Sequence, residues 1–187
     1  MSEIIQIRLS GFGGQGVVLA GVLLGEAGAL DGNYVSGSNS YGAQARGSGC
    51  KSEVIFSRGP VDFPHLIGAD ILIAMSQGAY NEYCGDVNED SGLILFDQGP
   101  VASKEGLKVK QIGIPATDQA VKKLKNKQVA NIVLLGALLE VRQIVSIQAM
   151  EKAMKAHVSE RFRALNLEAL KLGQELGREV NGRRQNA

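Results

Sequence analysis

Six residues near the amino terminus have the types and spacing of a phosphate-binding turn. They are Gly11-Phe12-Gly13-Gly14-Gln15-Gly16, between an alternating apolar segment and an apolar segment of helical pattern. Glycine lets the backbone approach the oxygens of an anion, and the N–H groups that begin the following helix add unpaired donors and a partial positive charge. The spacing predicts a site for a phosphorylated cofactor; the alternative is a tight strand-to-helix turn without a ligand. The candidate binding residues are Gly11, Gly13, Gly14, Gln15 and Gly16.

The residues around this turn argue against two common nucleotide sites. A P-loop needs Lys-Ser or Lys-Thr after its last glycine, whereas Val17-Val18 follow here. A nicotinamide dinucleotide site needs a carboxylate after the second strand, where this chain has Ser36-Gly37-Ser38-Asn39. Asp31 precedes that strand and is expected at the wrong end of the sheet. The turn therefore lacks the partners that either kind of site requires.

A second candidate lies in the segment 36–49, which we predict to be a loop. It spans about fourteen residues with little apolar content, and loops of that length are often functional. We expect it to leave the carboxyl end of the second strand beside the glycine turn, so that the two loops form one crevice. Arg46 could pair with a phosphate or carboxylate, and Tyr41 could stack on a base; the alternative for Arg46 is a solvated surface position. Ser40 begins this second set of candidates.

Hydrophobic periodicity predicts the elements that position these loops. Strands are predicted over 4–9, from 34, and over 50–57 (half-buried), 70–75, 93–96 and 108–112, with helices over 17–30, 76–84, 117–125 and 128–141, from 146 and from 159. The alternation predicts a single doubly wound, Rossmann-like α/β domain with a mostly parallel sheet and a helical C-terminal third. We assign the domain to residues 1–177 and a polar, frayed tail to 178–187. An apolar stripe from Phe162 to Leu176 needs a partner, either this domain or another chain.

Composition narrows the functional class further. The 187 residues carry a formal net charge of +1, which favours neither nucleic acid nor a membrane surface as a partner. The two cysteines, Cys50 and Cys84, form no CxxC pair and neither His65 nor His157 has a matched partner, so no metal or iron–sulfur site is predicted on this chain. The amino terminus lacks the pattern of a signal peptide, and we expect a cytoplasmic protein.

Four motifs in order resemble the gamma subunits of 2-oxoacid:ferredoxin oxidoreductases. They are the glycine turn, Ser40-Tyr41-Gly42-Ala43-Gln44-Ala45-Arg46-Gly47, Pro60-Val61-Asp62-Phe63-Pro64 and Asn131-Ile132-Val133-Leu134-Leu135-Gly136-Ala137. The resemblance spans residues 4 to 175. Within that family the chain is most similar to the 2-oxoglutarate type, and the pyruvate and branched-chain types are the alternatives.

The resemblance implies a subunit that contributes to an active site without supplying a catalytic residue. Such enzymes decarboxylate a 2-oxoacid on thiamine diphosphate, pass electrons through iron–sulfur clusters to ferredoxin and transfer the acyl group to coenzyme A. Thiamine diphosphate, magnesium and the clusters are then expected on alpha and beta subunits, with a ferredoxin-like delta subunit as a further partner. The glycine turn would lie close to the coenzyme A or thiamine diphosphate pocket with Tyr41 and Arg46 beside it, Arg46 pairing an anion and Gln15 donating a hydrogen bond. The rival hypotheses are an independent nucleotide- or flavin-binding protein and a structural subunit whose glycine turn only packs.

Overall fold

The elements come from a computed structural model that describes residues 4–42, 49–61, 63 and 65–185. Arg46 therefore lies outside the described residues. Along the chain the strands and helices are β1 (Ile4–Phe12), α1 (Val17–Leu30), β2 (Tyr34–Tyr41), β3 (Gly49–Ser57), β4 (Ile71–Ala74), α2 (Gln77–Tyr83), β5 (Leu93–Asp97), β6 (Lys110–Ile114), α3 (Ala116–Leu124), α4 (Ala130–Val141), α5 (Ile147–His157) and α6 (Glu160–Gln185). Short 3₁₀ turns, Cys84–Asp86 and Lys127–Val129, follow α2 and precede α4.

Within the described residues the strands form one mixed sheet in the order β2-β3-β1-β4-β5-β6. β1, β4, β5 and β6 pair in parallel, whereas β3 is antiparallel to both β1 and β2. β2 consequently runs in the same direction as β1 but is separated from it by β3. The predicted α/β domain with a mostly parallel sheet is confirmed. The expected position of β2 beside the glycine turn is wrong, because β3 pairs between them.

The segment after Tyr34 is a strand for longer than the sequence predicts. β2 continues to Tyr41, so the prediction of a loop from Ser36 is wrong for its first part. Its polar residues are compatible with a strand because β2 is an edge strand, paired only with β3. Residues 43–48, the rest of the predicted loop, lie outside the described residues.

β3 is buried rather than half-buried, and ion pairs explain how its polar residues are accommodated. Glu53 lies opposite Arg8 of β1 and is 4% exposed. Its Oε1 accepts hydrogen bonds from Arg8 Nε at 2.9 Å and from Lys51 Nζ at 3.1 Å. A buried carboxylate is tolerated when it is paired in this way. Arg8 also reaches Asp86 at 3.3 Å, which ties the 3₁₀ turn after α2 to the sheet.

The two faces of the sheet are covered unequally. α1 and α4 lie on one face with α5 and α6 packed behind them, and this side contains the larger apolar core. The other face carries α2 and a smaller core around Leu72, Tyr80 and Phe96. Strand residues alternate between these cores, as in Ile71 and Ile73 against Leu72 and Ala74. None of the helices among the described residues is long and apolar enough to cross a membrane.

The apolar stripe of α6 packs against α4 within this chain from Leu165 to Leu176, whereas Phe162 is 43% exposed. Gly136 of α4 and Gly173 of α6 lie where the backbones touch: a Cβ on Gly173 would stand 2.0 Å from the carbonyl oxygen of Val133. The close crossing explains why both helices have glycine at interior positions. α6 continues to Gln185, so the predicted polar tail, residues 178–187, begins within this helix.

Candidate functional site

The glycine turn has the backbone shape that its sequence requires. Gly14 and Gly16 have φ angles of 94° and 73°, in the left-handed region that favours glycine. The N–H of Gln15 donates to the carbonyl of Phe12 at 3.1 Å and closes the turn directly after β1. Gly14 is exposed, and a Cβ there would meet no atom within 4 Å. The turn therefore presents open backbone at the carboxyl edge of the sheet.

The side chain of Gln15 holds the turn to the sheet. Its Oε1 accepts from the N–H of Phe12 at 2.6 Å, and its Nε2 donates to the carbonyl of Met75, directly after β4, at 2.9 Å. Gly11 makes room for this arrangement, because a Cβ there would lie 2.5 Å from Gln15 Oε1. In the structure Gln15 and Gly11 thus shape the turn.

The N-terminus of α1 is left uncapped at this turn. Gly16 occupies the cap position without a side-chain hydrogen bond, and the first turn of α1 contains no acidic residue. By contrast, Ser76 caps α2 and Ser146 caps α5 through their side-chain oxygens. The first N–H groups of a helix need acceptors and attract negative charge. α4 likewise begins without a side-chain cap. The first N–H groups of α1 are therefore available to an acceptor.

A cavity of about 720 Å³ opens beside this helix end, on the α4 face of the sheet. The turn, the ends of β4 and β5 and the starts of α3 and α4 all contribute to its wall. The lining residues are Gly13, Gly14, Gln15, Met75, Asp97, Gly99, Pro100, Thr117, Asp118, Lys127, Gln128, Ala130, Asn131 and Leu134. Acidic, basic and uncharged polar side chains all line this cavity, as is typical of a ligand site in an open α/β sheet.

Asp97, at the end of β5, occupies the N-terminus of α3. It is 2% exposed and accepts hydrogen bonds from the backbone N–H and the hydroxyl of Thr117. Burial raises the pKa of Asp97, and the nearby charge of Asp118 acts in the same direction, while the hydrogen bonds from Thr117 partly oppose it. The α3 end of the cavity is therefore rich in acceptors, whereas the α1 end offers donors.

Asn131 joins α4 to the glycine turn. Its Nδ2 donates to the carbonyl of Gly16 at 3.0 Å, and a Cβ on Gly16 would stand 2.4 Å from that nitrogen. Asn131 is only 3% exposed, yet its Oδ1 has no hydrogen-bond partner among the described residues. A buried unsatisfied acceptor is uncommon in a native protein and marks a place where a donor is missing.

Sequence reasoning gave no role to Asp97, Thr117, Asp118, Gln128 or Asn131 in this site, and it gave Lys127 a contact with coenzyme A phosphates only as an alternative to a solvated helix face. Asp97 could have been found from the rule that ligands bind at the carboxyl ends of parallel strands, since it directly follows the predicted strand 93–96. Asn131 belonged to one of the resembling motifs, but nothing in its spacing indicated that it contacts Gly16. That contact joins residues 115 positions apart.

The other candidates from the second loop lie elsewhere. Ser40 and Gly11 line a separate cavity of about 370 Å³ on the α2 face, with Lys51 and Tyr83. Tyr41 is 70% exposed at the end of β2. Ser40 thus shares a cavity with Gly11 and Phe12 at the start of the glycine turn, whereas Gly13, Gly14 and Gln15 line the larger cavity. Residues 43–48, the rest of the second loop, lie outside the described residues.

No group of three potential metal ligands occurs in the described parts of the chain. Cys50 and Cys84 are both free and buried. Burial raises the pKa of the Cys50 thiol.

Comparison with known proteins gives consistent matches over nearly the whole chain. The family described as pyruvate ferredoxin/flavodoxin oxidoreductase matches residues 6–176. The 2-oxoglutarate synthase subunit KorC of Methanocaldococcus jannaschii is 44% identical over 94% of this chain and 95% of that protein. A pyruvate synthase subunit PorC of Methanothermobacter marburgensis is 27% identical over 91% of this chain and 96% of that protein.

Two solved structures have the same fold. The gamma subunit of a keto/oxoacid ferredoxin oxidoreductase from Geobacter sulfurreducens is 37% identical, with a TM-score of 0.81 over 92% of this chain and 98% of that one. The 2-oxoglutarate:ferredoxin oxidoreductase of Magnetococcus marinus, solved with 2-oxoglutarate, coenzyme A and succinyl-CoA bound, has a TM-score of 0.84 at 23% identity. It matches over 96% of this chain and 32% of that one.

Proposed function

This chain belongs to the pyruvate ferredoxin/flavodoxin oxidoreductase family as a gamma subunit, and we propose that its cavity binds coenzyme A during the conversion of 2-oxoglutarate to succinyl-CoA. The observation that carries the proposal is the uncapped N-terminus of α1, which opens on a cavity of about 720 Å³ through a turn of exposed backbone. The family makes the chain part of an oxidoreductase complex.

The donor end of the cavity suits the phosphate groups of coenzyme A. The N–H groups that begin α1 have no side-chain acceptor, and Gly14 leaves room for close approach. The exposed cation Lys127 lines the same cavity. Backbone donors, a helix N-terminus and one ammonium group together form a typical anion site.

The acceptor end of the cavity suits the rest of the molecule. Coenzyme A carries amide N–H and hydroxyl groups as well as phosphates, and these groups are hydrogen-bond donors. Asp118 is an acceptor at the α3 end, and the buried, unpartnered Oδ1 of Asn131 is an acceptor beside the glycine turn, 3.6 Å from where a Cβ on Gly16 would lie. With the phosphates at α1, Asp118 would accept from donor groups of the ligand toward α3. The residues present therefore fit coenzyme A.

The preference for 2-oxoglutarate rests on the relatives. The 2-oxoglutarate synthase subunit from Methanocaldococcus jannaschii is 44% identical to this chain, whereas the pyruvate synthase subunit from Methanothermobacter marburgensis is 27% identical. Groups that recognise the 2-oxoacid would lie on other subunits. The alternative is a pyruvate or branched-chain substrate, bound by the same partners.

In the proposed reaction this chain binds and orients coenzyme A while partner subunits hold the other groups. Thiamine diphosphate with magnesium would supply decarboxylation, and iron–sulfur clusters would carry the electrons to ferredoxin. The turn held by Gln15 fixes the amides that bind phosphate, and Asn131 fixes α4 against that turn. Preorganised donors of this kind place a substrate without reorganisation at the moment of reaction. The proposed partners are alpha and beta subunits and a ferredoxin-like delta subunit.

A matched pair of glycine substitutions tests the proposed site. Gly14 and Gly32 have φ angles of 94° and 84°, and a Cβ on either meets no atom within 4 Å. Alanine at either position therefore introduces backbone strain of roughly 1–2 kcal/mol. Only Gly14 lines the cavity. In the reconstituted complex, we expect Gly14→Ala to raise the KM for coenzyme A by about tenfold, a loss of about 1.4 kcal/mol.

The control variant is Gly32→Ala. It should lower Tm about as much as Gly14→Ala does, because the backbone strain is similar, and it should leave the KM for coenzyme A unchanged. The KM for 2-oxoglutarate should be unaffected by either substitution. Equal KM values for coenzyme A in both variants would contradict the proposed site and would mean that the glycine turn only packs against its neighbours.

A further inference from the structure

Asn131 uses only one end of its side-chain amide among the described residues. It is the second residue of α4, is 3% exposed and lines the cavity of about 720 Å³. Its Nδ2 donates to the carbonyl of Gly16, whereas its Oδ1 has no hydrogen-bond partner in the part of the chain that the structure describes. The residues that follow it, Ile132, Val133 and Leu134, are fully buried and apolar. A polar side chain in such surroundings needs a partner for each of its polar atoms.

The bond to Gly16 does not explain why this position is an asparagine. The carbonyl of Gly16 also accepts from the N–H of Ala20 at 2.9 Å, the backbone hydrogen bond that begins α1. That carbonyl would therefore keep a partner if the amide of Asn131 were replaced. Leucine has nearly the shape of asparagine and would leave no buried acceptor without a donor, so the fold alone favours leucine here. Asparagine at this position lowers stability unless another molecule donates to its Oδ1.

The partner of Oδ1 must be a donor, although the adjoining part of the site attracts an anion. Oδ1 lies 3.6 Å from the point that a Cβ on Gly16 would occupy, beside the uncapped N-terminus of α1. A phosphate oxygen bound to the N–H groups of α1 is itself an acceptor and cannot pair with Oδ1. The amide of Gln15, in the same turn, is already used at both ends, by Phe12 and Met75. A hydroxyl close to the phosphate of the ligand would supply the donor without any change in the turn.

We infer that Asn131 is a specificity-determining residue of the coenzyme A site, with its Oδ1 accepting a hydrogen bond from a ligand hydroxyl beside the phosphate bound at α1. The inference rests on the proposed function and deepens it, because the site then selects a hydroxyl-bearing phosphate ester over a ligand that offers only acceptors there. Coenzyme A has two such hydroxyls, one on the ribose beside the phosphate monoester and one on the pantoate beside the diphosphate. The chemistry is the same for both, and the test separates them.

The test compares three ligands on the assembled complex by calorimetry, without 2-oxoglutarate, so that binding is measured in the absence of turnover. The ligands are coenzyme A, its analogue without the ribose hydroxyl and its analogue without the pantoate hydroxyl. We expect one analogue to bind about tenfold more weakly than coenzyme A, the loss expected when a buried acceptor is left without its donor. The analogue that binds weakly identifies the hydroxyl that lies at α1.

Substitution of Asn131 should remove this preference. The Asn131→Leu complex should bind coenzyme A no more tightly than it binds the weaker analogue, because the acceptor that distinguishes them is gone. Its thermal stability should be unchanged or higher, since no buried acceptor is left unpartnered. A purely structural role in holding the turn would instead lower the thermal stability and weaken all three ligands alike, and that result would overturn the inference. If Asn131→Leu does not fold, Asn131→Ala provides the same comparison.

Asn166→Leu is the matched control. Asn166 on α6 is 7% exposed and donates through its Nδ2 to the carbonyl of Phe162 at 2.8 Å, but it does not line the cavity. This variant should keep the preference of about tenfold for coenzyme A over the weaker analogue. Loss of the preference in the control as well would count against Asn131, because the effect would not be specific to the cavity.

Equal affinity of the unaltered complex for all three ligands would overturn the inference, and a buried water would then be the partner of Oδ1. A preference that persists in Asn131→Leu would overturn it too. Gly14→Ala separates these results from failure of the proposed function, because it should weaken all three ligands alike. If Gly14→Ala changes none of the three affinities, the proposed site fails, and the inference fails with it.

Discussion

Asp97 and Glu53 are buried carboxylates whose surroundings act on their pKa in opposite directions. Burial raises the pKa of Asp97 above its ordinary value of 3.8. Burial also acts to raise the pKa of Glu53, but hydrogen bonds from Arg8 and Lys51 and their charges outweigh it, so this pKa lies below 4.5. The first carboxylate borders the candidate ligand cavity. The second stabilises the sheet.

These shifts predict opposite contributions to stability in acid. As pH rises from 3.8 through the raised pKa of Asp97, the unfolded chain loses its proton first, so this residue makes the free energy of unfolding fall. Glu53 acts in the opposite direction of pH. As pH falls from 4.5 through its lowered pKa, the unfolded chain gains its proton first, so the free energy of unfolding falls as the solution becomes more acidic. Denaturant titrations across this range should show that Asp97→Asn gains stability relative to the unaltered chain as pH rises. The deficit of Glu53→Gln should shrink as pH falls.

Glu89 provides the control for both substitutions. It pairs with Lys108 on the surface at 3.0 Å, where each side chain is more than half exposed. Glu89→Gln should leave the pH dependence nearly unchanged, because exposed ion pairs contribute little. Parallel pH profiles for all four proteins would contradict the assignment of the two buried carboxylates.

Single residues also show where sequence reasoning stops. The glycine turn and its left-handed positions could be predicted, because spacing alone indicates a turn between strand and helix. The partners of Gln15 could not, since Met75 lies 60 positions away and is brought near only by parallel pairing of β1 with β4. The same holds for Asn131 and Gly16. Contacts of this kind depend on topology, which local patterns do not specify.

At the scale of elements, the crossing of α4 and α6 requires glycine on both helices. A Cβ on Gly173 would overlap the carbonyl oxygen of Val133, and one on Gly136 would lie 2.2 Å from the carbonyl oxygen of Leu170. These contacts are with backbone, which cannot move aside as a side chain can. The helices can approach closely only because neither glycine has a side chain.

Two alanine substitutions on α6 should therefore have opposite effects on stability. Gly173→Ala should lower the free energy of unfolding by about 1–3 kcal/mol or more, because the crossing must separate. Gly182→Ala lies on the same helix with no atom within 4 Å of its Cβ, and should be neutral or stabilise by roughly 0.5–1 kcal/mol. Chemical denaturation measures both. Equal stabilisation by both substitutions would mean that helix propensity, rather than the crossing, determines the outcome.

Most elements could be predicted from periodicity, and the exceptions have a common cause. The apolar pattern of α1 and of β4 indicated the right type and nearly the right bounds. β2 was underestimated because Ser36, Ser38 and Ser40 carry no apolar signal, and their strand depends on pairing with β3. The burial of β3 was missed because Glu53 looks solvent-facing until Arg8 is placed opposite. Edge strands and buried ion pairs both depend on neighbours distant in sequence.

At the scale of the whole molecule, the proposed function makes this chain inactive alone. The isolated chain with 2-oxoglutarate, coenzyme A and a viologen acceptor should show no turnover, and the reconstituted complex should reduce the viologen. Turnover by the isolated chain would contradict the subunit role and favour an independent enzyme. The assembled complex is the positive control for the assay.

The most direct test of the coenzyme A site is amide hydrogen exchange of the assembled complex with and without coenzyme A. Ligand at the α1 end of the cavity would protect the N–H groups that follow the glycine turn, and ligand along α4 would protect those from Lys127 to Asn131. We predict slower exchange in peptides covering residues 12–19 and 127–132, and no change in peptides covering residues 30–36, at the opposite edge of the sheet. Unchanged exchange in both cavity segments at saturating coenzyme A would contradict the proposed site.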